Sequence, residues 1–183
     1  MSTPSATLEA VSADTLSLKE FFLAKLDREA VLIRKTLERV PEGRNEFKPH
    51  ERSMTLGLLA SIVAGILGWI PYITERDELD LDDPSSESLR TKPLSTKAEM
   101  LAQFEAGLIA ARASLYAATD QHLLLPWALK MRGLAVQRQP RHIMIADAVF
   151  SHLAHHRGQL TVYLRLVDST VPALYGPSAD EFI

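Results

Sequence analysis

Two histidines four residues apart, His152 and His156, are the residues of this sequence whose type and spacing could do chemistry. In an α-helix, residues i and i+4 lie one above the other on a single face, so the two imidazoles would meet there. Imidazole is the commonest protein ligand of divalent transition metals. The pair therefore predicts a metal site with His152 and His156 as ligands. A hydrogen-bonded pair in a protein core is the alternative that fits the same spacing.

Two residues next to the pair limit the number of histidine ligands and the type of metal chemistry. His155 follows His152 by three residues but lies about 100° around the helix from His156, so the three imidazoles cannot converge on one ion. Leu153 occupies the position at which an H-E-x-x-H metalloprotease carries its general base, a glutamate. The spacing is therefore that of two metal ligands, and metalloprotease chemistry is disfavoured.

The helix face that carries the two histidines is otherwise mostly apolar. Its residues recur at the 3.6-residue spacing of a core-facing stripe. They are Ile145, Val149, Gln159 or Leu160, Tyr163 and Val167. We therefore expect both histidines to point into the protein. Pro140, a favourable first-turn residue, predicts the start of this helix, which would run to about Asp168.

The composition restricts the class of protein and the kind of metal site. With 46% hydrophobic content, 183 residues suffice for one domain with a substantial core. The 20 basic and 23 acidic residues give a net charge of -3, so no overall basic field favours nucleic acid. Because the sequence has no cysteine, a metal site must use histidine, carboxylates and water. The N-terminus has no signal-peptide pattern, so we expect a cytoplasmic protein.

Local signals mark the domain and two more of its helices. Residues 1–16 are rich in Ser, Thr and Ala and predict a flexible N-terminus, which leaves a single domain over residues 17–183. The residues from Ser17 to Glu20 form a capping box, in which a hydroxyl and a carboxylate satisfy free backbone donors at a helix start. The same pattern recurs from Thr96 to Glu99 and predicts another helix.

The remaining segments complete the predicted architecture. The run from Met54 to Ile73 has no charged residue and is long enough to span a membrane, but we expect a helix buried inside a soluble protein. Residues 75–92 predict an exposed crossover loop. Residues 123–139 predict an irregular connection, broken by proline and glycine, that includes a short turn or an extended piece at most. The sequence thus predicts an all-α fold, an up-down four-helix bundle with a medium crossover loop.

Several motifs of the sequence resemble the DinB-like family of bacterial four-helix proteins. The motifs are Arg52 to Gly57, the run His155-His156-Arg157-Gly158-Gln159-Leu160, Val171-Pro172, and Tyr175 to Glu181. This family includes transferases that use the small thiols mycothiol or bacillithiol. The resemblance implies a four-helix fold, a homodimer and a divalent metal, nickel or zinc, that three histidines hold.

The resemblance also implies which residues would hold that metal. Two family ligands on the fourth helix match His152 and His156, and the third comes from the second helix. The family carries a Glu and, four residues on, a His there, and those positions are Leu58 and Ile62 in this sequence. A catalytic zinc-like site generally needs three protein ligands. We therefore expect a protein that is non-catalytic or binds metal weakly, with no catalytic residue assigned. The alternative is a metal-dependent transferase that activates a small thiol.

Overall fold

Helices make up most of the fold. The structure, a computed structural model, describes residues 17–89 and 91–182, so the predicted flexible segment 1–16 lies outside the described residues. The helices are α1 (Leu18–Glu38), α2 (Leu56–Gly65), α3 (Trp69–Glu75), α4 (Lys97–Ala117), α5 (Asp120–Leu124), α6 (Arg141–Met144) and α7 (His152–Leu166). Two 3-10 turns, Ile66–Gly68 and Pro84–Leu89, and a π-helical segment, Ile145–Ser151, complete the helical elements.

Both predicted capping boxes are present. The Ser17 side chain accepts a hydrogen bond from the Glu20 N–H, and the Glu20 carboxylate accepts one from the Ser17 N–H. Thr96 and Glu99 make the same reciprocal pair at the start of α4. Each box satisfies backbone donors that a helix start leaves free. The predicted starts of these two helices are therefore confirmed.

The long apolar run forms α2, a 3-10 turn and α3 rather than one helix. Its most buried side chains have no exposed surface, among them Leu59, Val63 and Ile70. By length and composition the segment from residue 56 to 75 could cross a membrane, but 61% of its most apolar stretch is buried inside the protein. A Cβ on Gly107 would lie 3.5 Å from the Gly68 nitrogen, so α4 packs closely against the turn between the two helices.

A three-stranded sheet corrects the prediction of an all-α fold. Its strands are β1 (Glu78–Asp80), β2 (Pro126–Met131) and β3 (Leu134–Pro140), in the order β1-β2-β3. Strand β1 pairs with β2 in parallel, and β2 pairs with β3 antiparallel. The segment 123–139, predicted to be an irregular connection, is therefore mostly a β-hairpin, and the predicted crossover loop supplies the third strand.

The hairpin turn shows why these strands form. Arg132 and Gly133 both have positive φ, 52° and 77°, which is the backbone of a two-residue type I′ turn. The Arg132 and Gly133 N–H groups donate to the carboxylates of Asp82 and Asp80, at 2.9 and 2.6 Å. Side chains of the predicted crossover loop thus hold the turn in place.

The last helix positions the histidine pair. It starts at Arg141 directly after Pro140, as predicted, and runs through α6, the π-helical segment and α7 to Leu166. Helix α7 packs against α1 and α2, and α4 packs against α1, α2 and α3. Within the π-helical segment, the His152 N–H donates to the Asp147 carbonyl, five residues back. Each such turn holds one residue more than an α-helical turn.

Candidate functional site

The structure brings the two histidine side chains into contact. The His152 and His156 Nε2 atoms lie 2.7 Å apart, and the ring centroids are 4.5 Å apart. His156 is 8% exposed, so its imidazole points inward as expected. His152 is exposed, which corrects the expectation that both rings are buried.

The π-helical segment explains the exposure of His152. In an uninterrupted α-helix, residue i+7 continues the face of residue i, so His152 would follow Ile145 into the core. One extra residue in the preceding turn moves that position to i+8. Leu153 is fully buried there, and His152 stands at the edge of the face, with its Nε2 still directed at His156.

Gln159 fixes the orientation of the buried imidazole. The His156 Nδ1 atom lies 2.8 Å from the Gln159 side-chain oxygen, which can only accept a hydrogen bond. This contact assigns the proton to Nδ1 and leaves the His156 Nε2 lone pair facing His152. Gln159 was predicted only as a possible member of the core stripe. Its position three residues after His156, on the same face, is the signal that could have identified it.

The electrostatics of the pair favour a neutral His156. Burial lowers the pKa of the His156 imidazole, the hydrogen bond to Gln159 opposes that change, and the neighbouring His152 and His155 lower the pKa further. An imidazole must be neutral to bind a metal, because the proton and the ion compete for the same lone pair. Near neutral pH, His156 is therefore in the uncharged state that metal binding requires.

Two imidazoles fit zinc or nickel chemically but form an incomplete set of ligands. With metal–nitrogen distances of about 2.0–2.1 Å, a tetrahedral ion holds two nitrogens roughly 3.3–3.4 Å apart. The two Nε2 atoms, 2.7 Å apart, need to move apart by about 0.6–0.7 Å to reach that spacing. Among residues 17–89 and 91–182, no three His, Asp or Glu side chains are arranged so that they could hold a metal ion together.

Other possible ligands are engaged elsewhere or face solvent. The His142 Nδ1 atom lies 3.1 Å from the Leu123 carbonyl oxygen, and the His122 Nε2 atom 2.6 Å from the Thr74 carbonyl oxygen. Glu105 on α4 pairs with Arg34 of α1, and Asp147 is exposed. His155 is exposed, and its ring packs edge-on against His156 at 5.0 Å between centroids.

A buried ion pair lies one residue after the histidine pair. The Arg157 side chain is 1% exposed and that of Glu29 is 4% exposed. Their charged atoms lie 2.7 Å apart. The Tyr175 hydroxyl donates to Glu29 at 2.8 Å, and Lys25 lies 3.0 Å from the same carboxylate. The pair thus joins α7 to α1 and to the C-terminal tail.

The network around Glu29 keeps that carboxylate ionised. Burial alone would raise the pKa of Glu29, but the Arg157 charge and the hydrogen bonds from Lys25, Tyr175 and Arg157 outweigh it and lower the pKa. A lowered folded-state pKa adds stability that is complete above the unfolded-state pKa, about 4.3. That stability is lost as the pH falls through the folded-state pKa. Sequence reasoning missed Glu29, although it lies between Leu26 and Ile33 on the buried face of α1.

The protein is therefore mostly helical and carries two imidazoles in contact with each other on its last helix. The DinB family model matches residues 12–182, so the chain belongs to the DinB family. This confirms the resemblance that the sequence motifs indicated. A relative from Bacillus subtilis, the uncharacterized protein YrdA, is 26% identical over 169 residues, which cover 89% of this chain and 91% of the relative.

Solved structures of DinB-like proteins share the fold. A DinB-like protein from Bacillus cereus matches with a TM-score of 0.62 at 24% identity, over 85% of this chain and 97% of its own. The DinB-like protein YjoA of Bacillus subtilis also gives a TM-score of 0.62, at 15% identity, over 83% of this chain and 96% of its own. At these identities the likeness shows the fold alone.

Proposed function

We propose that this DinB-family protein binds a divalent transition-metal ion, nickel or zinc, weakly through His152 and His156, and that it does not catalyse thiol transfer. The observation that carries the proposal is the approach of the two Nε2 atoms to 2.7 Å, with Gln159 holding the His156 ring. The apolar side chains of Leu58 and Ile62 on α2, which packs against α7, support a site with two protein ligands.

Each residue has a defined part in this proposal. His152 and His156 each supply one nitrogen lone pair, and Gln159 holds the Nδ1–H tautomer that exposes the His156 lone pair. Arg157 and Glu29 anchor the turn of α7 that carries His156. A bound divalent ion would supply Lewis acidity to a coordinated water or thiol. With only two imidazoles the ion is held loosely, which favours binding without turnover.

Calorimetric titration with zinc tests the proposal. Gln159→Leu should weaken zinc binding by about 10–100-fold, because a histidine ligand that loses its orienting hydrogen bond is mobile and less basic. His156→Ala should abolish the binding heat, and His155→Ala, which removes a neighbouring imidazole that is not a ligand in this proposal, should change the affinity far less. Equal affinities for wild type and His156→Ala would contradict the proposal.

The alternative function, metal-dependent thiol transfer, predicts a different result for metal retention. A metal-dependent transferase needs a tightly held ion with an open position for the thiol. One equivalent of zinc or nickel that survives dialysis against a chelator would favour this alternative, because it would require a third ligand.

The up-down four-helix arrangement, the homodimer and the cytoplasmic location stay predictions.

A further inference from the structure

A second candidate site lies at the start of the last helix, away from the histidine pair. A cavity of about 350 Å³ opens there, and its walls include Asp77, Trp127, Arg138 and Arg141. This volume is at the lower end of small-molecule sites, roughly 300–1,000 Å³. The proposed metal site shares no residue with the cavity.

Arg141 brings a buried positive charge to this cavity. Its side chain is 1% exposed, and its guanidinium donates to the Pro126 and Arg76 carbonyls and to the Asp77 carboxylate, at 2.9, 3.1 and 2.6 Å. Asp77 is 94% exposed, so water screens its charge. The guanidinium is therefore buried with a weak counterion. A buried charge of this kind is costly unless it is paired.

Two buried donors beside the cavity have no acceptor. Within residues 17–89 and 91–182, neither Arg141 Nε nor Trp127 Nε1 has a hydrogen-bond partner. Both side chains are 1% exposed, and both line the cavity. Buried N–H groups without a partner are rare, because each costs the free energy of a lost hydrogen bond. Both nitrogens are buried in this structure, so an acceptor that enters the cavity would reach them after a small movement of the two side chains.

We propose that this cavity binds the carboxylate of a small organic acid. Carboxylate oxygens can accept from both donors and supply the negative charge that Arg141 lacks. Arg138 adds a positive charge at the wall, and Leu125 and Ala128 offer apolar contact to a short hydrocarbon chain. The acidic side chains of Asp77 and Glu78 in the same wall oppose a dianion. The site therefore selects a monocarboxylate over a phosphate.

The Trp127 indole N–H reports directly on binding. The protein has two tryptophans, so Trp69→Phe leaves Trp127 as the only one. In this variant the single indole resonance in a proton–nitrogen NMR spectrum should move downfield, saturably, as butyrate is added. Butyramide has the same shape without the charge and should bind about tenfold more weakly, since hydrogen bonds to a charged group are stronger.

Substitutions of charged residues in the cavity wall show whether butyrate binds in this cavity. Asp77→Asn removes a competing carboxylate and should tighten butyrate binding by about threefold. Arg138→Gln, at an exposed position, removes a positive charge from the wall and should weaken butyrate binding. An indole resonance that butyrate does not move would overturn the proposal. Equal shifts with butyrate and butyramide would also overturn it, because the donors would then need only a neutral acceptor such as water.

Discussion

Replacing Arg157 with methionine is expected to lower the free energy of unfolding by about 3–5 kcal/mol, the cost of breaking a buried ion pair by removing one partner. The loss is large because Glu29, 4% exposed, would be left as a buried carboxyl group without the Arg157 cation. Lys25 and the Tyr175 hydroxyl would remain beside the carboxylate and moderate the loss. Urea denaturation of wild type and variant at neutral pH measures the difference.

Two further variants show whether the unpaired charge causes the loss. Adding Glu29→Leu to Arg157→Met removes the uncompensated carboxylate and should recover a substantial part of the stability. Arg165 lies on the same helix and pairs with Asp180 at the surface, so Arg165→Met should have a much smaller effect. A double variant less stable than Arg157→Met alone would contradict the buried-charge explanation.

Replacing Ile62 with histidine is expected to complete a metal site with three histidines. Ile62 is half-buried on α2, which packs against α7. The resemblance in the sequence implies that the family's third histidine corresponds to this position. Without metal the variant should lose about 1–3 kcal/mol, because a polar ring without an assured partner replaces apolar packing. With zinc or nickel it should gain more in melting temperature than wild type gains, since an ion that binds the folded state stabilises it by mass action.

A second isoleucine provides the control for this gain. Ile109 on α4 is 69% exposed, so Ile109→His adds an imidazole without burying it. Its melting temperature should respond to zinc as wild type does. If Ile62→His and Ile109→His gained equally from metal, Ile62 would not face the histidine pair, and the match of Ile62 to the family's third histidine would be wrong.

The helices were predictable because their signals are local. A capping box needs only four residues, and the boxes at Ser17 and Thr96 start α1 and α4 as predicted. Pro140 likewise marked the start of the last helix. The apolar run was rightly expected to be a core helix, although a 3-10 turn at Ile66–Gly68 divides it.

The sheet was not predictable, because its strands lack the alternation that normally marks a strand. All residues of β3 before Pro140 are exposed, and β2 buries Trp127 and Ala128 in succession. Strand β1 has three residues and pairs with a partner about 50 residues later. Such pairing depends on tertiary contacts that no local pattern records.

The details of the histidine site depended on two features that spacing alone does not show. The π-helical turn shifts the buried face by one residue, so Leu153 rather than His152 enters the core. The burial of Arg157 depends on Glu29, which is 128 residues away in sequence. The Arg157–Glu29 pair forms because α7 packs against α1, and the π-helical segment lies against α3. The four-residue spacing of the histidines, in contrast, is visible in the sequence.

X-ray absorption at the zinc edge tests the central claim most directly, because scattering from imidazole rings counts the histidines bound to the ion. The wild-type protein loaded with zinc should show two imidazoles, with water oxygens in the remaining positions. His152→Ala should then show one imidazole. A spectrum of wild type with no imidazole would contradict the site at His152 and His156, and one with three would contradict the claim that these two are its only histidine ligands.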